Sequence, residues 1–290
     1  MTGPIEDVRI APWAAVLRVP TRDGFVYFKE AQESLAHEAR LIEILARHRP
    51  ELVTEVLVAD ERGRMLMRDA GTQLSEYLDL DAEFRAWEEA LPLYAELQIE
   101  AAPDAEELVR AGAFDRRAVA LAGLYEGLVA EPAEGLTAEE HARLVALAPR
   151  VRLVCEELAA SSVPETIQND DFTNGSVFVR DGAYRFLDWG DACISPPFFT
   201  LAVTLRVVEA RHGLPPNSPE IVRLRDVYLE PFTRFESLEQ LIPLADEARR
   251  FGQICRATLR AENPFWDDPE SLAYSLRLVL DPEIWRTWND

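Results

Sequence analysis

The stretch from Asn169 to Ala192 reads NDDFTNGSVFVRDGAYRFLDWGDA. Two strand-like runs meet at Arg180-Asp181-Gly182-Ala183, the composition of a hairpin turn. The second run ends in Leu187-Asp188-Trp189-Gly190-Asp191, an acidic cluster with a tryptophan inside it. Another acidic pair, Asp170-Asp171, precedes the first run, and Asp171 lies 17 residues before Asp188. Paired aspartates ahead of a strand often only make turns. Here, folding the hairpin returns Asp188 near Asp171. Carboxylates gathered at a strand end repel one another unless something positive joins them, either a nearby arginine with solvent or a metal ion. In the second case one carboxylate can accept a proton from a hydroxyl while the other holds magnesium.

Two more charged positions lie upstream. Lys29 ends a strand-like run, VYFKE, and Glu38 lies in the helix-like segment that follows, AHEARL. Each alone reads as a solvated side chain. In this order they suggest an ion pair that holds an ammonium toward nucleotide phosphates. Both belong to a unit from about Val8 to Met67. It contains WAAVLRVPT and GFVYFKE around Arg22-Asp23-Gly24, then SLAHEARLIEILARH, then VTEVLVAD and RMLMRD around Glu61-Arg62-Gly63. Ser34 is placed to N-cap the helix, with Leu35, Ala39, Ile42 and Leu45 or Ala46 at helical spacing. Two hairpins around one helix predict a lobe of four or five strands.

After Asp69-Ala70-Gly71 the texture changes. QLSEYL, FRAWEEALPLYAELQIEA, AEELVRAGA, RAVALAGLYEGLVAE and AEEHARLVALAPRVRLVCEELAA are all helix-like. The acidic hairpin interrupts this half once, and helices resume at FTLAVTLRVVEARHG. The expected fold class is therefore α+β. Residues 1–70 form a small antiparallel-sheet lobe with one helix, and residues 71–290 form a larger, mostly helical lobe.

The chain has 290 residues, 48% of them hydrophobic and 28% charged, enough for a large core. Lys and Arg number 30 against 52 Asp and Glu, a net charge of −22. That balance disfavours nucleic acid and anionic membranes as partners. It can draw cationic small molecules to an acidic cleft, or serve solubility alone. Cys155, Cys193 and Cys255 are scattered and odd in number, which fits buried free thiols in a reducing compartment. MTGPIEDVRI has no basic-then-apolar pattern, and no run is long enough to span a bilayer, so a cytoplasmic location is expected. The four histidines, His37, His48, His141 and His212, are too scattered for a zinc site. His37 reads as an exposed helix residue and His48 as a cation near a helix end. No G-x-S-x-G, H-E-x-x-H or G-x-x-x-x-G-K-[ST] pattern is present.

The segment from Asn169 to Ala192 resembles the H-G-D-L-H-x-x-N…D-W-x-x-A segment of the aminoglycoside phosphotransferase and choline kinase group. DGFVYFKE, HEARLIEILA and RMLMRDAG resemble that group's nucleotide lobe, and LYAELQ and GAFDRR its helical segment. The resemblance covers nearly the whole chain in the same order. It implies a protein-kinase-like bilobal fold and an ATP-dependent small-molecule kinase using Mg2+. Carried over by position, Lys29 would contact the ATP phosphates, Glu38 would pair with it, and Met67 to Gly71, with Met67 and Asp69, would pass the adenine edge. Asp171 would be the catalytic base and Asp188 would bind magnesium. Trp189 reads as packing for the metal loop, and Asp191 as a weaker candidate for metal or substrate contact.

The departures fall in the catalytic loop. The family's magnesium-binding Asn lies five positions after the base, where this chain has Ser176, with Asn174 two residues early. Ser176 is carried as a candidate metal ligand, because a serine hydroxyl can ligate magnesium. The family's two His positions are Asn169 and Thr173, the first a structural anchor where asparagine can still hydrogen-bond. RIAPWAAVLRV has no glycine-rich flap, which points away from protein substrates. The reading is phosphoryl transfer to a hydroxyl of a small molecule, with an amino-sugar or another cationic acceptor suiting an acidic cleft. The competing reading is a catalytically weak or inactive relative that acts as a nucleotide- or small-molecule-binding module. FWDDPE, from Phe265 to Glu270, reads first as a surface turn and second as part of an acceptor pocket.

Overall fold

A computed structural model describes residues 2–77, 79–263 and 269–281. The first lobe is built by short turns with fixed chemistry. β2 (Ala14–Thr21) and β3 (Gly24–Ala31) join at Arg22-Asp23, and Gly24 takes φ 114° where a side chain would be strained. β4 (Val56–Ala59) and β5 (Arg64–Arg68) join through Asp60, whose carboxylate accepts from the Arg62 and Arg64 amides at 2.9 and 3.2 Å. Ahead of them β1 (Glu6–Ala11) pairs with β2 and closes on Pro12-Trp13. The sheet is antiparallel throughout, in the order β1-β2-β3-β5-β4. β1 was not legible as a strand, because its alternation is only Val8 and Ile10 and both are exposed.

One helix, α1 (Glu38–Leu45), packs on this sheet and buries Leu41, Ile42 and Leu45. It starts later than expected. Glu33–Leu35 form a 3-10 turn, and His37, not Ser34, occupies the N-cap position. Leu35, Ala39, Ile42 and Leu45 are all buried, so the expected apolar face is present although its first turn is tighter.

The second lobe carries the short strands β6 (Thr72–Gln73), β7 (Phe114–Asp115), β8 (Thr166–Gln168), β9 (Val177–Arg180), β10 (Ala183–Phe186) and β11 (Cys193–Ser195). Its helices are α2 (Leu80–Ala101), α3 (Ala105–Ala111), α4 (Ala118–Leu128), α5 (Ala138–Ala160), α6 (Thr200–His212), α7 (Pro219–Leu229), α8 (Leu238–Phe251), α9 (Gln253–Glu262) and α10 (Pro269–Leu280). Asp79 caps α2 by accepting from the amides of Asp81 and Ala82, and Thr137 with Glu140 forms a capping box on α5. Two expectations are corrected here. QLSEYL is not a helix but β6 and a 3-10 turn, and GAFDRR contributes β7 rather than helix. In both places a strand elsewhere in the chain supplies a hydrogen-bonding edge that local pattern does not reveal.

Two small sheets position the loops. β10-β9-β6 holds the acidic hairpin, whose Asp181-Gly182 turn has φ 53° and 77°, the left-handed pair of a two-residue hairpin. β7-β11-β8 pairs Gln168 with Cys193, so the chain just before Asn169 lies beside the chain just after Asp191. Beneath both loops sits an aromatic cluster. Tyr94 stacks on Phe172 at 3.9 Å, Phe186 stands edge-on to both, and Trp189 stacks on Tyr94 at 6.0 Å. All four rings are buried. At the lobe junction Gly71 has φ 106°, and a Cβ there would lie 2.3 Å from the Val179 carbonyl oxygen. Only glycine lets the connecting chain lie so close to β9.

Candidate functional site

Register places Lys29 opposite Val16 and Met65 in the middle of the first sheet, buried at 7% exposure. Its ammonium lies 2.7 Å from Glu38 Oε2 and donates to Asp188 Oδ1 at 2.5 Å. Burial pulls the Lys29 pKa down, but Asp188 and then Glu38 outweigh it, and the net shift is upward. Glu38 is buried and its carboxyl is raised by that burial, with Lys29 opposing. Asp188 is held below the ordinary carboxylate range, chiefly by the Lys29 charge. Lys29, Glu38 and Asp188 come together from β3, α1 and the loop after β10.

That loop is held in a demanding shape. Asp188 has φ 67° and ψ 54°, a left-handed conformation that costs energy outside glycine. Four anchors hold it there. Trp189 donates from its indole to the Phe186 carbonyl at 2.9 Å and from its amide to Glu38 Oε1 at 3.2 Å. Asn169 Nδ2 donates to the carbonyls of Leu187 and Asp188 at 3.1 and 2.9 Å. The Gly190 carbonyl lies 2.9 Å from His37 Nε2. His37 is therefore not an exposed helix residue. The N-terminal turn of α1 packs on the loop, so consecutive residues His37 and Glu38 both reach it. The tryptophan within the acidic cluster is its aromatic anchor.

The loop before β9 is tied in the same way. Tyr94 accepts from the Asn169 amide at 2.7 Å, and Asn169 Oδ1 accepts from the Asp171 amide at 2.9 Å. Asp171 is left half-buried, and its Oδ1 meets Arg256 Nη1 at 2.9 Å. Arg256 also donates to the Asp170 carbonyl at 3.1 Å. Burial raises Asp170 to about 6, and Arg256 opposes that shift. Asp191 is raised to about 8, by burial first and then by Asp188 and Asp171.

One cleft is lined by Lys29, Glu38, Asp171, Asp188 and Asp191, together with Arg9 and Trp13 of the first hairpin. Ser176 is not among its lining residues. Its hydroxyl donates to the Thr173 carbonyl at 2.9 Å, accepts from the Thr173 amide at 2.9 Å, and is buried. Asn174 turns away and donates to Glu83 Oε1 at 3.0 Å. The geometry therefore gives Ser176 no support as a metal ligand, because the loop's own backbone engages its oxygen. Met67 and Asp69 also lie outside the cleft lining. Met67 is buried in β5, and Asp69 follows at the lobe junction, where its carbonyl accepts from Arg180 at 2.9 Å. Among the described residues no three His, Cys, Asp or Glu side chains converge to hold a metal by themselves. A magnesium shared with substrate phosphates needs only one or two carboxylates. Residues 265–268 of FWDDPE lie outside the described residues.

Sequence reasoning missed Arg9, Trp13, His37 and Arg256. Arg9 and Trp13 stand on the unread strand β1 and its turn, with the guanidinium 5.2 Å from the indole ring centre. Arg256 does have a signal. α9 is buried nearly all round, yet Gln253, Arg256 and Arg260 recur on it at helical spacing, and polar groups inside a buried helix ask for a reason.

A five-stranded lobe with a Lys–Glu pair, set against a helical lobe bearing the two aspartate loops, defines a protein-kinase-like fold. Residues 8–217 match the sequence pattern of the phosphotransferase enzyme family, APH, and the chain belongs to that family. Solved structures agree on the fold. A choline/ethanolamine kinase family protein from Mesorhizobium loti has a TM-score of 0.61 at 17% identity, over 98% of this chain and 91% of that one. The macrolide 2'-phosphotransferase MphH from Brachybacterium faecium has a TM-score of 0.62 at 16% identity, over 95% and 93%. The amicoumacin kinase hAmiN, in complex with AMP-PNP and Ca2+, has a TM-score of 0.59 at 11% identity, over 96% and 88%. Among curated proteins none matches the chain.

Proposed function

We propose that the protein transfers the γ-phosphoryl group of ATP to a hydroxyl of a small molecule. The observation that carries this reading is the meeting of Lys29, Glu38, Asp171, Asp188 and Asp191 in one cleft from separate segments. In the transfer, the acceptor oxygen bonds to the γ-phosphorus and the bond from that phosphorus to the β–γ bridging oxygen breaks. ADP leaves with that electron pair, and the hydroxyl proton passes to the Asp171 carboxylate. Lys29, fixed by Glu38, would hold the donor phosphates, and the Met67–Gly71 junction would pass the adenine. Asp188, half-exposed and facing the cleft, and Asp191 are the carboxylates that fit Mg2+. Bound Mg2+ would neutralise charge on the phosphates. The AMP-PNP and Ca2+ of the amicoumacin kinase structure support nucleotide and divalent-cation use in this fold.

A cytoplasmic site of action fits the three cysteines, all free and buried. No helix of the described residues is long and apolar enough to cross a membrane. The expectation of a cationic acceptor drew on net charge, an acidic cleft and the family resemblance. Beside Asp171 stands a cation, Arg256, which favours an acceptor with anionic character there.

The second reading, a weak enzyme or binding module, is favoured by Ser176 and Asn174, neither of which reaches the cleft. One measurement separates the two. Thermal unfolding of the full chain with ATP, with and without Mg2+, is followed by ADP release against hydroxyl acceptors. A rise in Tm that needs Mg2+, together with acceptor-dependent ADP release, supports transfer. A rise without ADP release supports the binding module, and no rise in either condition removes both nucleotide readings.

A further inference from the structure

We propose that the acceptor bears an oxyanion, a carboxylate or a phosphate, seated by Arg206, Arg250 and Gln253 in the cavity where α6 meets α8 and α9. The proposal rests on the phosphotransferase reading and names the class of its second substrate.

The cavity lies where α6 meets α8 and α9. It encloses about 270 Å³, and its polar lining includes Arg206, Glu209, Asp246, Arg249, Arg250 and Gln253. Its two carboxylates are already engaged. Glu209, buried, pairs with Arg249, and Asp246 pairs with Arg225 at 3.1 Å. Arg206 and Arg250 have no carboxylate partner among the described residues. Arg250 Nε is buried without a hydrogen bond, and its guanidinium lies 5.2 Å from the Phe251 ring centre. Two guanidiniums without an ion-pair partner would repel an ammonium and attract an oxyanion.

Gln253 supplies the second, independent observation. It is 2% exposed, and neither its Oε1 nor its Nε2 has a hydrogen-bond partner. A buried primary amide left unpaired is destabilising, so it asks for a ligand to complete it. Its Nε2 can donate to an oxyanion, and its Oε1 can accept from a hydroxyl of the same molecule.

Continuity with the reacting centre comes through α9 and α6. Gln253 and Arg256 are three residues apart on α9, on one side of the helix. Arg256 is the residue that touches Asp171. From α6, Arg206 senses Tyr274, Arg256, Asp171 and Glu209. Burial pulls its guanidinium down to about 10, as expected of a cation taken from water with no ion-pair partner. Arg256, which touches the base, and Gln253, which lines the cavity, thus share one side of α9, and an acceptor anchored at Gln253 would reach along it toward Asp171.

The test is calorimetry of the full chain with four probes on one scaffold: glucuronate, glucose 6-phosphate, glucose and glucosamine, each titrated with and without Mg·ADP. At least one acidic probe should bind tenfold or more tightly than glucose, and which one does so identifies the oxyanion. Arg206→Gln should abolish that preference while Mg·ADP affinity is unchanged, and Arg206→Lys should keep part of it. Gln253→Leu gives a readout that a purely structural role would not: Tm of the free protein rises while acidic-probe affinity falls tenfold. Glucosamine binding tightest, acidic probes binding no better than glucose, or a preference that survives both Arg206→Gln and Gln253→Leu would each overturn the proposal. Mg·ADP binding without an acidic preference sinks this inference alone. Absent nucleotide binding sinks the phosphotransferase reading, while acidic binding in the nucleotide-free titrations would still support the cavity.

Discussion

The two ends of the cleft carry opposite local charge. At one end Glu38 and Asp188 both meet Lys29, and Asp191 lines the same cleft, an acidic side that would suit a divalent cation. At the other end Arg256 covers Asp171, and Arg206 and Arg250 line the neighbouring cavity without carboxylate partners among the described residues. A net charge of −22 describes neither end. Charge summed over a chain governs solubility and long-range steering, whereas a site is governed by the few groups that share its low-dielectric surroundings.

The most severe way to break the contrast is at its acidic end. Asp188→Asn removes the carboxylate that faces both Lys29 and the cleft. Asparagine tolerates the left-handed backbone at φ 67°, so the loop keeps its shape. ADP release should fall by about 10³-fold, the scale for losing a preorganised electrostatic group. The Mg2+-dependent part of the ATP thermal shift should vanish. Full Mg2+ dependence in this variant would show that Asp188 does not hold the metal.

A smaller effect, confined by pH, tests the crowding of acids there. The Asp191 carboxyl stands at about 8 in the folded protein, against an ordinary 3.8. Between those values the folded state keeps a proton that the unfolded state has released. The contribution to stability is thus present below about pH 4 and lost as pH rises toward 8. Asp191→Asn in metal-free protein should leave Tm unchanged at pH 4 and raise it progressively to pH 8. A Tm difference independent of pH would mean that Asp191 is not buried among like charges.

What was legible follows from the range of the interactions involved. The two read hairpins, the face of α1 and the helical half declare themselves through turn residues and periodicity, which are local. So does Trp189, which sits in its own motif. Lys29 and Glu38 were read together because their order along the chain is informative, although the contact of Lys29 with Asp188 spans 159 residues. His37, Arg9 and Arg256 had no such order to give them away. His37 meets the Gly190 carbonyl across 153 residues, and the pairing depends on how α1 docks on the far loop. QLSEYL and GAFDRR were misread because a two-residue strand exists only through its partner. For Ser176, sequence could not show its hydroxyl turned onto Thr173.

That hydroxyl offers the finest way to sharpen the comparison. Ser176 lies in the loop that carries Asp171, and its Oγ closes the loop by donating to the carbonyls of Thr173 at 2.9 Å and Asp171 at 3.3 Å. It thereby uses the donor that the loop needs, and it is too short to present a second polar atom to the cleft. Asparagine at 176 has both a donor and an acceptor, so its amide nitrogen can keep the bond to the Asp171 carbonyl while its oxygen turns toward the metal side. The site is buried at 2% exposure, so the larger side chain must displace neighbours, and that limits the gain. The balance should be about 1 kcal/mol, the scale of one added polar contact, which is less than tenfold. The Mg2+ concentration for half-maximal ADP release should fall by that factor with little change in Tm. If Ser176→Asn leaves the Mg2+ requirement untouched and ATP still fails to stabilise the protein, the nucleotide end has lost its chemistry. The arginine-lined cavity would then be what remains of the site.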